Sequence, residues 1–134
     1  YTPGHTNDSI SLFDQKAGYL FSGDFLYPGQ LYGFLPNSNM GDYLQGSRTI
    51  QSLSENTLRV FGAHRDDSLG IPELSLETVI QLQDTLNAIK SGVLKSNVAY
   101  PVTYKVNDRV ELLSEPKWLQ NWDPTYPELK IDTK

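Results

Sequence analysis

Only two histidines, His5 and His64, occur among the 134 residues, and there is no cysteine. Both histidines lie just outside segments with strand-like patterning, and Asp24 follows another such segment directly after Gly23. Neutral imidazole and ionised carboxylate are the donors that suit zinc and similar borderline cations, whereas calcium needs more oxygens. Without cysteine, a thiolate nucleophile, a disulfide framework and Cys-ligated zinc or iron–sulfur centres are excluded. Ser9 and Ser22 lie close by, yet with both imidazoles on metal no base is left for a serine triad. Taken singly, each of the three also has an ordinary reading: an imidazole satisfied by local hydrogen bonds, or an aspartate in a turn after glycine.

The elements that must bring these residues together can be read from the pattern. Ser9 to Phe13 and Tyr19 to Ser22 read as two short strands joined through Asp14-Gln15-Lys16-Ala17-Gly18, an antiparallel hairpin in which Gly18 supplies a positive φ. From Asp24 to Ser38, two prolines and two glycines interrupt an aromatic text, which predicts a long loop. Asn39 caps a predicted helix from Gly41 to Ser52 that buries Tyr43, Leu44, Ile50 and Leu53, with Gly46 weakening it by about 1 kcal/mol relative to alanine. Leu58 to Gly62 reads as a buried strand. Ser75 then caps a second helix whose stripe Leu76, Val79, Leu82, Leu86 and Ile89 runs to Gly92. Val102, Tyr104 and Val106 turn at Asn107-Asp108 and return through Val110, Leu112 and Leu113 as a terminal hairpin.

In an antiparallel hairpin the start of the first strand and the end of the second share an edge, so His5 and Asp24 should be neighbours. If the crossover through the first helix returns Leu58 to Gly62 parallel to Tyr19 to Gly23, His64 arrives at the same edge. Ligands of open α/β sheets bind outside the carboxyl ends of the strands, which makes His5, Asp24 and His64 a candidate metal site. The loop from Phe25 to Leu35 leaves this edge directly, so Tyr27 and Tyr32 are candidate substrate contacts. Arg65-Asp66-Asp67 reads as a solvated turn, and Trp118, Trp122 and Tyr126 as packing residues of an irregular tail.

A hydrophobic fraction of 38% and a net charge of -5 describe a globular chain with a small-molecule substrate, and the lack of a basic run argues against nucleic acid and anionic membranes. No apolar stretch approaches the roughly 20 residues that span a bilayer. No targeting signal is legible, which leaves cytoplasm as the default expectation. The chain begins at Tyr1 rather than methionine, as if sequence preceded it. The expected organisation is a unit over 1–115 followed by an irregular aromatic tail over 116–134.

Thr2-Pro3-Gly4-His5-Thr6, Ser9-Ile10, Leu20-Phe21-Ser22-Gly23-Asp24 and Gly62-Ala63-His64, in that order, resemble the carboxyl-terminal half of metallo-β-lactamase-fold hydrolases. The resemblance implies an α/β fold class, half of an αββα sandwich running hairpin, helix, strand, helix, terminal hairpin. It also implies that His5 completes a three-histidine first zinc site, Asp24 bridges two zinc ions and His64 ligates the second. Tyr27-Pro28-Gly29 after the bridging aspartate is similar to some members as well. The implied chemistry is hydrolysis of an ester, thioester or lactone by a zinc-bound hydroxide. The similar persulfide dioxygenases, with one iron, offer an oxidoreductase alternative.

The family's His-x-His-x-Asp-His motif has no counterpart here, since both histidines are already assigned. This chain would therefore supply part of a site and pair with a missing amino-terminal half or with itself. A non-catalytic fragment or subunit that binds a partner chain is the remaining alternative.

Overall fold

The computed structural model describes residues 1–53, 57–64, 70–95 and 100–125. Strands β1 (Leu12–Asp14) and β2 (Tyr19–Gly23) form the expected antiparallel hairpin, with Phe13 opposite Leu20. Its turn closes by two bonds to Asp14, from Gly18 N–H to the carbonyl at 2.9 Å and from Ala17 N–H to the carboxylate at 3.1 Å. Gly18 takes a φ of 73°, a conformation that costs glycine little. Strand β4 (Arg59–Gly62) lies parallel to β2, pairing Leu20 with Val60 and Gly23 with Gly62. Strand β5 (Glu73–Ser75) adds antiparallel to β4, giving the order β1-β2-β4-β5.

Helix α1 (Met40–Leu53) begins at Asn39, whose side-chain oxygen accepts the Asp42 N–H at 2.9 Å. Tyr43, Leu44 and Ile50 are buried as expected, but Leu53 is not: it ends the helix at 36% exposure. Gly46 has a packing reason, since a Cβ there would lie 2.8 Å from the Phe25 ring. Helix α2 (Leu76–Ser91) buries its whole predicted stripe, and Gly92 ends it with a φ of 82°. Ser75 stands at its N-cap position, but its side chain makes no cap hydrogen bond, because the residue also closes β5. The last carbonyls of α2 instead receive the Lys117 ammonium, which reaches Ile89 O and, at 2.9 Å, Lys90 O.

The predicted loop between Asp24 and Ser38 contains a strand. Strand β3 (Gly29–Gly33) pairs in parallel with β7 (Val110–Ser114), which pairs antiparallel with β6 (Val102–Lys105), so the second sheet has the order β3-β7-β6. Glycine at both ends of β3 suggested a break. At Gly33 it instead permits closeness, for a Cβ there would stand 3.0 Å from Leu113 O. Arg109 joins the sheets by donating to the carbonyls of Ile71 and, at 3.2 Å, Glu73.

One core unites Leu20, Val60 and Leu74 of the first sheet, Leu31, Tyr104 and Leu112 of the second, and the inner faces of both helices. The opposite face of the first sheet carries Leu12, Phe21 and Phe61 side by side, the last two stacked at 5.8 Å, with Leu12 and Phe21 exposed. After β7, Lys117–Leu119 makes a 3-10 turn. Trp122 packs against the core, whereas Trp118 is exposed at 81%, contrary to the packing role expected of it, because the turn directs it outward. Arg65-Asp66-Asp67 and Tyr126 lie outside the described residues.

Candidate metal centre

Asp24 and His64 are brought together by the ends of β2 and β4. Gly23 turns the chain with a φ of 56°, and its carbonyl accepts the Ala63 N–H at 2.8 Å, locking the two strand ends side by side. The turn beyond Asp24 is fixed by the buried Ser22 hydroxyl, which donates to Leu26 O at 2.6 Å. It packs so closely on β4 that a Cβ on Gly62 would lie 2.4 Å from Tyr27 Cβ and 2.6 Å from Leu26 O. His64 consequently rests edge-on against the Tyr27 ring, 4.8 Å between centroids.

His5 arrives without regular secondary structure. Gly4 passes flat over Tyr43, where a Cβ would meet the ring at 2.6 Å. The Ser38 hydroxyl donates to His5 O at 2.7 Å, and His5 Nδ1 lies 2.9 Å from Tyr32 O. A carbonyl only accepts, so Nδ1 carries the proton and a neutral His5 turns the lone pair of Nε2 outward. Metal-binding histidines are commonly oriented in this way by a backbone carbonyl.

Asp24 stands between the two imidazoles, with Oδ2 3.7 Å from His5 Nε2 and Oδ1 2.8 Å from His64 Nε2. Despite its short contact, Oδ1 is buried and receives no hydrogen bond, so the His64 N–H direction does not point at it. A buried carboxylate oxygen without a donor, and an imidazole lone pair turned toward the same carboxylate, are groups that a cation between them would satisfy. Zinc fits this donor set. The arrangement is two pairs sharing Asp24, and among the described residues no three His, Asp or Glu side chains form a single cluster.

Tyr27 and Tyr32 both line a cleft of about 760 Å³ that also takes in His5 and His64. Tyr27 is itself buried and donates its hydroxyl to Gln30 O at 2.5 Å. Burial, reinforced by the charge of Asp24, pushes its phenol up to about 12, so it remains a protonated donor. Tyr32 serves His5 through its carbonyl, a role that no residue type advertises. The far wall of the cleft, including Lys105 at the end of β6 and Asn107 and Arg109 from the β6–β7 turn, was not legible in the sequence because it depends on β3 pairing with β7. Ser38 was missed for a similar reason: a serine in a loop is ordinary until His5 lies beside it.

Residues 1–84 match the family model of the metallo-beta-lactamase superfamily. The chain is similar to the acyl-coenzyme A thioesterase MBLAC2 of Gallus gallus, 35% identical over 74 residues that cover 48% of this chain and 27% of that protein. The proteins of the same name from Bos taurus and Homo sapiens are 46% identical over 74 residues, covering 48% of this chain and 26% of each. The chain thus spans about a quarter of the length of these relatives. With all three candidate ligands inside the matched region, the chain belongs to the metallo-beta-lactamase superfamily.

Proposed function

We propose that this chain contributes His5, Asp24 and His64 to a two-zinc hydrolase centre that cleaves a thioester, within the wider class of esters and lactones. The observation that carries the reading is the Asp24 carboxylate set between two imidazoles with one buried oxygen lacking a donor. The thioester is favoured because the relatives are named acyl-coenzyme A thioesterases. Zinc bound there supplies Lewis acidity and lowers the pKa of water. Asp24 is the shared anionic ligand, His5 offers Nε2 because Tyr32 O holds Nδ1, and His64 is steadied by the Tyr27 ring. Tyr27 and Tyr32 form the apolar wall on which the acyl group rests.

Three ligands shared between two sites leave each underfilled, so the remaining ligands come from outside these 134 residues: an amino-terminal half carrying His-x-His-x-Asp-His, or a second copy. The exposed face of Leu12, Phe21 and Phe61 is where such a partner would sit. Light scattering of the chain alone should show self-association, and a monodisperse 15.1 kDa monomer would count against that need. Activity is tested by combining the chain with the polypeptide that supplies the missing motif and following thiol release from an acyl-coenzyme A. Turnover should require zinc, be absent from the 134-residue chain alone, and be lost in Asp24→Ala. Unchanged turnover in that variant would remove Asp24 from the centre.

A further inference from the structure

The first turn of α1 is clasped from two sides. On one side it holds the arm bearing His5: Asn39 N–H donates to Gly4 O at 2.9 Å, and the adjoining Ser38 holds His5 O. On the other it receives the chain beyond β7. Asn121 O accepts the N–H groups of Met40 and Gly41 at 3.0 and 3.1 Å, and Asn39 Nδ2 donates to Asp123 O at 2.8 Å. The Asp42 carboxylate, 1% exposed, accepts both the N–H and the hydroxyl of Thr125, each at 2.6 Å. Gly41 is what admits this segment, since a Cβ there would stand 2.2 Å from Trp122 O.

We propose that residues 121–125 form a brace that positions His5 through the first turn of α1, with Asp42 and Gly41 as positioning residues. The physical reason is that free N–H groups at a helix start need acceptors, and here the tail supplies them. The same turn then presents Asn39 N–H and Ser38 to the His5 arm, which has no strand or helix of its own. The consequence for metal binding rests on the proposed ligand role of His5, but the positional claim does not.

Because the chain has two histidines, the imidazole proton resonances of the 134-residue chain give two signals, assigned with His5→Gln. Two variants loosen the brace by different means: Asp42→Ala removes the acceptors of Thr125, and Gly41→Ala forces the tail away while favouring the helix itself. In both, the His5 signal should move toward that of free histidine while the His64 signal shifts less, and zinc affinity should fall about tenfold. Faster exchange of the first two backbone amides of α1 reports that the tail has moved. A moved tail with an unchanged His5 signal in either variant overturns the proposal. If Asp42→Ala fails to fold, Gly41→Ala decides alone. A His5 shift with unchanged zinc affinity in the reconstituted enzyme would leave the brace standing and count against the ligand reading instead.

Discussion

Asp24 and His64 are held differently from His5, although Asp24 faces both imidazoles. The first two sit at the ends of adjacent parallel strands, where the Gly23 to Ala63 hydrogen bond and the β2–β4 register fix their separation. His5 sits on an arm that borrows its order from Tyr32, Ser38 and Asn39. A strand pair distributes its constraint over a ladder, whereas the arm depends on a few individual bonds. The difference predicts that the strand corner fails only when packing is violated, while the arm fails when single polar groups are removed.

The largest effect should come from Gly62→Ala, which drives a methyl into Tyr27 and Leu26 and should cost about 3 kcal/mol by overpacking. Denaturant unfolding would measure it, and a loss below about 1 kcal/mol would show that the corner is more forgiving than its spacing implies. Next comes Ser38→Ala, which strips the donor from His5 O and should cost about 1–2 kcal/mol. Its signature is selective: the His5 resonance should broaden while the His64 resonance holds. Equal disturbance of both would erase the distinction between corner and arm.

Tyr32→Ala should be gentler still, within about 0.5 kcal/mol in stability, because Tyr32 serves His5 through its backbone. In the reconstituted enzyme it should raise KM without weakening zinc binding, and a loss of zinc affinity would mean that the ring, too, orients His5. The smallest effect lies on the far side of the first sheet. There the Arg59 guanidinium bonds Glu73 at 2.5 and 2.8 Å and holds its carboxyl below the ordinary carboxylate range. Since the folded state binds its proton less readily, the pair's contribution is present above the ordinary carboxylate pKa and is lost as pH falls through the lowered one. Glu73→Gln should flatten that acid-side slope at low salt and do little at high salt, where exposed pairs are screened.

Both helices and the β1–β2 and β6–β7 pairings were legible because each is written in a local period or turn: the stripe of α2, the Gly18 turn, the Asn107 turn, whereas the parallel β2–β4 pairing entered only as a condition. Strand direction accounts for Asp24 lying beside His64, whereas His5 reaches Asp24 on an arm that belongs to no strand. Strand β3 was hidden because Gly29, Gly33 and the neighbouring prolines read locally as breaks, and only β7 alongside turns Gln30-Leu31-Tyr32 into a ladder.

What the sequence by itself determined is the set of donors available, His5, Asp24 and His64 without cysteine, and the strands whose ends carry Asp24 and His64. The tertiary structure alone decided which lone pair His5 presents, where the cleft closes, and that the chain beyond β7 supports the site. Those outcomes depend on backbone carbonyls and close glycine contacts between distant segments, and neither leaves a mark on residue type or spacing.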